Sequence, residues 1–282
     1  MIQEIQLVKL KNSALHHQPD VVAVEEPLEI QLQTNKPNGC KMHPLSVTMR
    51  TPGNDAELAL GFLFTESILS SPQQLAEPPT YPLGENKILV RLSETTSVDL
   101  SKLKRNFYTT SSCGVCGKES IEAIRQICPS RPQRTELYIE PETLFALPER
   151  LREKQQAFNC TGGIHAAALF DTDGILLSFR EDVGRHNALD KLIGAEFLLA
   201  DELGLDLSHR ILLLSGRASF ELIQKAAMAG IQVVCAIGAP SSLALETAQS
   251  FGMTLIGFLK PHSANIYSGS ERLNYSTSEN KN

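Results

Sequence analysis

Ile211-Leu212-Leu213-Leu214-Ser215-Gly216-Arg217-Ala218-Ser219 sets a short apolar run against a small polar turn, and the amphipathic stretch over 219–228 then reads as a helix. A strand that ends in such a turn and feeds a helix is the repeating unit of an α/β sheet. The alternation continues downstream, with strand-like 231–237, helical 242–251 and strand-like 253–258. Upstream, 186–199 reads as a helix, and 167–170 pairs with 175–178 across the hairpin turn Asp171-Thr172-Asp173-Gly174. Further back, 137–139 reads as a strand and 144–156 as a helix. Together these predict an α/β sheet covered on both faces, and such a sheet places ligands at the carboxyl ends of its strands.

The N-terminal half reads as a smaller unit of mixed α and β elements. Residues 21–33 alternate and are rich in Val, Ile and Leu, which predicts a strand broken by Pro27. Pro52-Gly53 turns the chain ahead of a helix over 56–68, which Asn54 or Asp55 can cap, with Phe62, Leu63 and Phe64 as core residues. A Pro-, Ser- and Gln-rich loop over 70–81 leads to a strand over 87–92. The predicted division is a mixed unit over 1–108, a mobile loop and helix start over 109–125, an α/β unit over 126–268, and a polar tail over 269–282.

Composition sets wider bounds. With 282 residues, 42% of them hydrophobic, the chain can bury a sizeable core. No stretch reaches membrane-spanning length, and the start lacks a basic segment followed by an apolar run, so the expectation is a cytoplasmic protein with no membrane partner. A formal charge of −6 argues against a general nucleic-acid binder. Six cysteines in a chain of this length do not make a disulfide framework.

Two of those cysteines carry the clearest chemistry. Cys113 and Cys116 lie in Ser112-Cys113-Gly114-Val115-Cys116-Gly117, directly before a helix-like stretch that begins at Lys118. The orphan N–H groups at a helix start and a neighbouring cation favour thiolate over thiol, so the pair suits sulfur exchange. A closed zinc site needs four ligands, and no second short-spaced pair follows, although folding can bring Cys160 or His165 to it. No metal site is therefore assigned. A zinc deaminase is excluded more firmly, because Ala166-Ala167 stands after His165 where that chemistry needs H-x-E. Taken alone, His165 reads equally well as a hydrogen-bonded core residue.

Three polar segments fall at predicted strand ends. In Ser215-Gly216-Arg217-Ala218-Ser219, the backbone N–H groups, Arg217 and Ser219 can converge on a phosphate, without the pattern of a P-loop or dinucleotide fingerprint. In Arg180-Glu181-Asp182-Val183-Gly184-Arg185-His186-Asn187, Arg180, Arg185 and His186 can donate to a phosphate or a purine edge, and Asp182 can cap or orient. The bland readings are a turn and ordinary surface ion pairs. Asp190 and Lys191 read as helix-surface charges, with a ligand role open for Asp190. Last, 257–267 carries Lys260, His262 and Tyr267, types that hold a base and its phosphate by stacking and charge-assisted bonds.

In combination these motifs resemble the FdhD/NarQ family of formate dehydrogenase accessory sulfurtransferases. The resemblance runs over about 25–267 and rests on the cysteine motif, Thr161-Gly162-Gly163-Ile164-His165-Ala166-Ala167, the stretch from Glu181 through Asn187-Ala188-Leu189-Asp190-Lys191, Ser215-Gly216-Arg217-Ala218-Ser219, and Arg50-Thr51-Pro52-Gly53. It implies a large C-terminal cytidine-deaminase-like α/β domain without deaminase chemistry, a smaller mixed N-terminal domain, and a homodimer. It also implies that sulfur passes from a cysteine desulfurase, as a persulfide on Cys113, to the molybdenum bis(molybdopterin guanine dinucleotide) cofactor, which then serves the formate dehydrogenase catalytic subunit. Cys116 can share the sulfur or resolve the persulfide. The cofactor-binding residues carried over are Phe258, Leu259, Lys260, Pro261, His262 and Ser263. With Arg180, Arg185, His186, Asn187, Arg217 and Ser219 they make the candidate site, and GDP serves as a fragment mimic. His262-Ser263 stands where some relatives carry Gly-Arg. The rival readings are a nonenzymatic molybdenum-cofactor chaperone and a zinc-stabilised interaction module.

Overall fold

The structure is a computed structural model, which describes residues 1–36, 39–81, 84, 86–96, 98, 137–200 and 204–274. The cysteine motif and the predicted boundary segment over 109–125 lie outside them.

The chain begins with a two-stranded ribbon, β1 (Ile2–Lys11) against β2 (Ala14–Ala23), turned at Asn12 and Ser13. The expected strand start at residue 21 is thus the end of β2. Most of the ribbon is exposed, so it carries no one-sided apolar alternation to read. β3 (Glu26–Lys36) pairs antiparallel with β4 (Gly39–Arg50) and parallel with β5 (Lys87–Arg91). Pro27 does not break β3, because it sits at the strand's start, where pairing with β5 has not yet begun. The 70–81 segment is more ordered than a loop. It contains the capped turn Pro72–Gln74, and Thr80 bridges to Leu89 on β5.

α1 (Asp55–Thr65) follows β4. Neither expected cap acts as one. Asn54 holds a left-handed conformation with no side-chain cap bond, and Asp55 is gripped by Arg50 through two hydrogen bonds of 3.0 and 2.9 Å.

The second half builds α2 (Pro141–Arg152), α3 (Gln156–Thr161), β6 (His165–Phe170), β7 (Leu176–Asp182), α4 (Arg185–Leu199), β8 (Ile211–Leu214), α5 (Phe220–Met228), β9 (Val233–Ala236), α6 (Ser242–Ser250), β10 (Thr254–Lys260) and β11 (Ser263–Ser268). The sheet order is β11-β10-β9-β8-β6-β7. β8, β9 and β10 run parallel, β6 is antiparallel to both its neighbours, and β11 is antiparallel to β10.

Strand alternation divides the core between the two faces. Ala166, Ala168, Phe170, Ile211, Leu213, Val233, Cys235 and Ile256 pack with Leu144, Leu147 and Leu151 of α2. Ala167, Leu169, Leu212, Leu214, Val234, Ala236 and Leu255 face residues of α4, α5 and α6. This second cluster runs on without a break through α1 into Leu28, Ile30, Leu32, Ile88 and Val90 of the N-terminal sheet. At its centre α1 crosses α4, with Gly61 of one helix against Gly194 of the other.

Buried charge accompanies that crossing. Asp190 and Lys191, read from sequence as surface charges, are 3% and 1% exposed. Lys191 pairs with Asp182, and Asp190 pairs with Lys225 of α5. Their helical spacing resembles that of a solvated face, and only the arrival of α1 and α5 covers them. Two smaller expectations also change. The strand over 137–139 reduces to a single bridge from Ile139 to Leu273. Within the predicted tail, Arg272 is buried and donates to Thr254 Oγ1 and Gln232 Oε1, both at 3.1 Å, while 275–282 lie outside the described residues.

Candidate functional site

Because β6 runs opposite to β7, β8, β9 and β10, its first residue meets their carboxyl ends along one edge of the sheet. His165, the 182–186 turn, the 215–219 turn, the 237–241 turn and Phe258 gather there. Backbone bonds carry the ladder beyond the strands. Gly238 N–H donates to Gly216 O at 3.0 Å, and Phe258 N–H donates to Gly238 O at 3.1 Å. A side chain at Gly238 would meet the Arg217 backbone at 3.0 Å, so the absence of a Cβ there eases the close approach of the two turns.

The polar side chains there divide by what they touch. His186 Nε2 lies 3.3 Å from Ser219 Oγ and 3.8 Å from a Glu221 carboxylate oxygen. Ser219 occupies the cap position of α5 without capping it by its side chain. Arg185 opens α4, and its Nε is buried with no hydrogen-bond partner among the described residues. Arg217 is exposed. His165, absent from the sequence-derived site, packs its ring on Gly216, with Nδ1 3.2 Å from the position a Cβ would take there. The signals for it in the sequence were the glycine-rich turn leading to it and its place in the Thr161–Ala167 motif.

Other expected contacts are already committed elsewhere. Arg180 is clamped by Glu57 of α1 through bonds of 2.5 and 2.7 Å, and this pairing holds its guanidinium above the ordinary arginine range. The Asn187 amide donates to Met49 O and Asp182 Oδ1 and accepts from Thr48 Oγ1. Leu259 is 1% exposed and belongs to the α2 face of the core, which leaves only its backbone for a ligand. Periodicity alone could not reveal these commitments, since Glu57, Met49 and Thr48 come from distant elements.

Phe258 is 42% exposed and stands on a backbone with φ +51°. Positive φ is costly for a bulky side chain and needs the surrounding structure to hold it. Beyond it the chain does not leave the sheet as the sequence suggested. Lys260 pairs with Ser263 across a tight turn, and Lys260, Pro261, His262 and Ser263 form an exposed hairpin tip.

Among the cysteines of the described residues, Cys235 is fully buried, and burial pushes its thiol up to about 12, which makes it unreactive. Cys40 and Cys160 are exposed.

Both imidazoles are shifted toward the neutral form. Burial, then Arg185 and Lys225, pull His186 from its ordinary 6.5 down to about 4 against the opposing effect of Glu221. His165 is lowered by burial and Arg185, with Asp182 opposing. Between about pH 6.5 and 4 the unfolded chain therefore binds protons that folded His186 refuses, so stability falls as pH drops through that window. Urea midpoints at pH 7 and pH 5 should show the loss, and His186→Gln should flatten it. The flattening will be partial, because the side chain is 37% exposed and solvent screens it. An unchanged slope in the variant would assign the acid sensitivity to other groups.

An open α/β sheet with cationic, imidazole, hydroxyl and aromatic groups at its carboxyl edge belongs to the ligand-binding class of such folds. The FdhD/NarQ family model matches residues 23–274, and the chain belongs to that family. It is 46% identical over 280 residues to the sulfur carrier protein FdhD of Streptomyces coelicolor, covering 95% of this chain and 94% of that one. To the protein of the same name from Saccharolobus solfataricus it is 41% identical over 272 residues, covering 96% and 98%. The fold matches the crystal structure of a putative formate dehydrogenase accessory protein from Desulfotalea psychrophila, with TM-score 0.73, 21% identity, and 97% and 99% of the two chains covered. No helix among the described residues is long and apolar enough to cross a membrane.

Proposed function

We propose that the protein is a sulfur carrier that accepts persulfide sulfur from a cysteine desulfurase and delivers it to the molybdenum bis(molybdopterin guanine dinucleotide) cofactor used by formate dehydrogenase. The observation that carries this reading is the near full-length similarity to curated sulfur carriers in both a bacterium and an archaeon. The Cys113 thiolate attacks the outer sulfur of the donor persulfide, a new S–S bond forms on Cys113, and the donor cysteine leaves as a thiolate. Cys116 then shares that sulfur or displaces it as sulfide by closing a disulfide.

The cofactor is the substrate of the second unit. Arg185, His186, Ser219, Arg217 and Lys260 supply donors for its phosphates, and Phe258 supplies a face for a guanine. His165 joins this set. The exposed backbone and side chains over 260–263 complete it, while Arg180, Asn187 and Leu259 support it from behind. A cytidine-deaminase-like core belongs to the same reading, supported by a sheet that opens with the β6–β7 hairpin and carries helices on both faces. So does a homodimer in the reducing cytoplasm that meets the desulfurase and the dehydrogenase in turn.

The test is peptide-resolved mass spectrometry after incubation with a cysteine desulfurase and cysteine, with persulfides trapped before digestion. One added sulfur on the Cys113 peptide, absent in Cys113→Ala, is the expected result. Failure of transfer from an active cognate donor would favour a chaperone that moves the cofactor without sulfur chemistry.

A further inference from the structure

The Arg50-Thr51-Pro52-Gly53 turn is the one sequence motif with no part in the sulfur or cofactor contacts proposed above. Its Thr51 is fully buried and spends all three of its polar groups on the stretch around the start of α4. Thr51 N–H donates to Asp182 Oδ2 at 3.0 Å, Thr51 O accepts from Lys191 Nζ at 2.7 Å, and Thr51 Oγ1 accepts from Val183 N–H at 3.1 Å. Lys191 closes the ring with a 2.7 Å ion pair to the same Asp182 oxygen. The other Asp182 oxygen takes Gly184 N–H at 2.8 Å and Asn187 Nδ2 at 3.1 Å. Asn187 is itself held at the end of β4, where its amide donates to Met49 O at 2.7 Å and accepts from Thr48 Oγ1 at 3.1 Å.

We infer that Thr51 is a positioning residue: from the N-terminal unit it fixes the 182–187 turn that aims Arg185 and His186 at the ligand. The inference rests on the ligand reading of Arg185 and His186 given above. Its physical basis is that donors aimed at an anion tolerate displacements of only about 0.5 Å before binding suffers. Asp182 closes the β7 ladder and Arg185 opens α4, and between them Val183 N–H has Thr51 Oγ1 as its acceptor. Resistance to displacement comes from across the molecule, where Asp182, 0% exposed, binds the backbone N–H groups of both Thr51 and Gly184. Removing the Thr51 hydroxyl leaves Val183 N–H without its acceptor, and the turn must shift to find another.

The experiment is calorimetry with guanosine diphosphate on the full chain, well below the onset of unfolding. Thr51→Val, which keeps the shape and removes the acceptor, should weaken binding about tenfold, the equivalent of one lost hydrogen bond to the site's geometry. Thr51→Ser should restore affinity to within about threefold of wild type, because the acceptor returns. Ile30→Val, in the shared core, is the stability control and should lower the denaturation midpoint with no change in affinity. If Thr51→Val lowers the midpoint while binding as tightly as wild type, Thr51 is structural only and the inference is overturned. Should Thr51→Val fail to fold, the partly buried Thr48 gives the second variant, and Thr48→Val should weaken binding about threefold. Unchanged affinity there overturns the inference as well. A wild-type chain that binds no nucleotide would remove the ligand reading itself, and the inference with it, an outcome distinct from tight binding by every variant.

Discussion

Gly194→Ala is expected to cost about 3 kcal/mol or more and to leave much of the protein unfolded or insoluble. In an open helix the same change would stabilise by about 1 kcal/mol, since alanine is the better helix former, so the sign of the effect is diagnostic. At this position a Cβ would fall inside the carbonyl oxygen of Glu57 and 2.7 Å from its carbon, both backbone atoms of α1. Gly61 is the mirror case, with the Asp190 carbonyl in the way and its carbon at 2.6 Å. Backbone cannot swing aside as a flexible side chain can, so either methyl must push two helices apart through a core that both share. Denaturant titration of Gly61→Ala and Gly194→Ala should give two large losses. A gain in either would mean that the helices cross elsewhere.

Asp190→Ala should destabilise by about 3–5 kcal/mol, a large share of the roughly 5–15 kcal/mol typical of a folded domain. Asp190 accepts from Lys225 Nζ at 2.9 and 3.0 Å and from Thr65 Oγ1 at 3.0 Å. Burial alone would pull the Lys225 ammonium down, but the nearby carboxylates outweigh it and hold it above the ordinary lysine range. Without Asp190 that buried charge keeps the Thr65 hydroxyl, 2.9 Å away, and the weaker pull of Glu66 and Glu221. The double variant Asp190→Ala/Lys225→Met removes the stranded charge with its partner and should recover most of the loss. A single variant losing less than about 1 kcal/mol would show the ammonium solvated or paired by another group.

Both predictions sit where local pattern and tertiary arrangement part company. Gly61 and Gly194 lie inside long apolar helices, where a glycine reads only as a small loss of helix propensity. Asp190 and Lys191 follow each other on a helix as a solvated pair would, yet α1 covers one side and α5 the other. The β1–β2 ribbon went unread because it is exposed on most of its surface and so has no alternation to display. β11 went unread for a similar reason, since Ser263–Ser268 is a short polar edge strand with Ile266 facing out.

The candidate site was legible in outline. Polar segments at strand ends, among them Ser215-Gly216-Arg217-Ala218-Ser219 and the stretch from Arg180 to Asn187, do gather along one edge. Which of their side chains remain available was not legible. Arg180 is taken by Glu57, Asn187 by Met49 and Thr48, and Leu259 by the core, while His165 enters the site because β6 runs opposite to its neighbours.

By itself the sequence determined the rhythm of strands and helices in the second half, the motifs that mark the family, and the pair Cys113 and Cys116 as the sulfur chemistry to test. These are local properties, since periodicity, turn chemistry and a two-thiol spacing are written in neighbouring residues. Only the tertiary structure decided that the N-terminal unit shares one core with the α/β sheet and that two glycines admit the helix crossing. It alone placed Thr51 where it grips the turn bearing Arg185 and His186. Each of those facts depends on close approach between residues far apart in the chain, and that distance is set by packing.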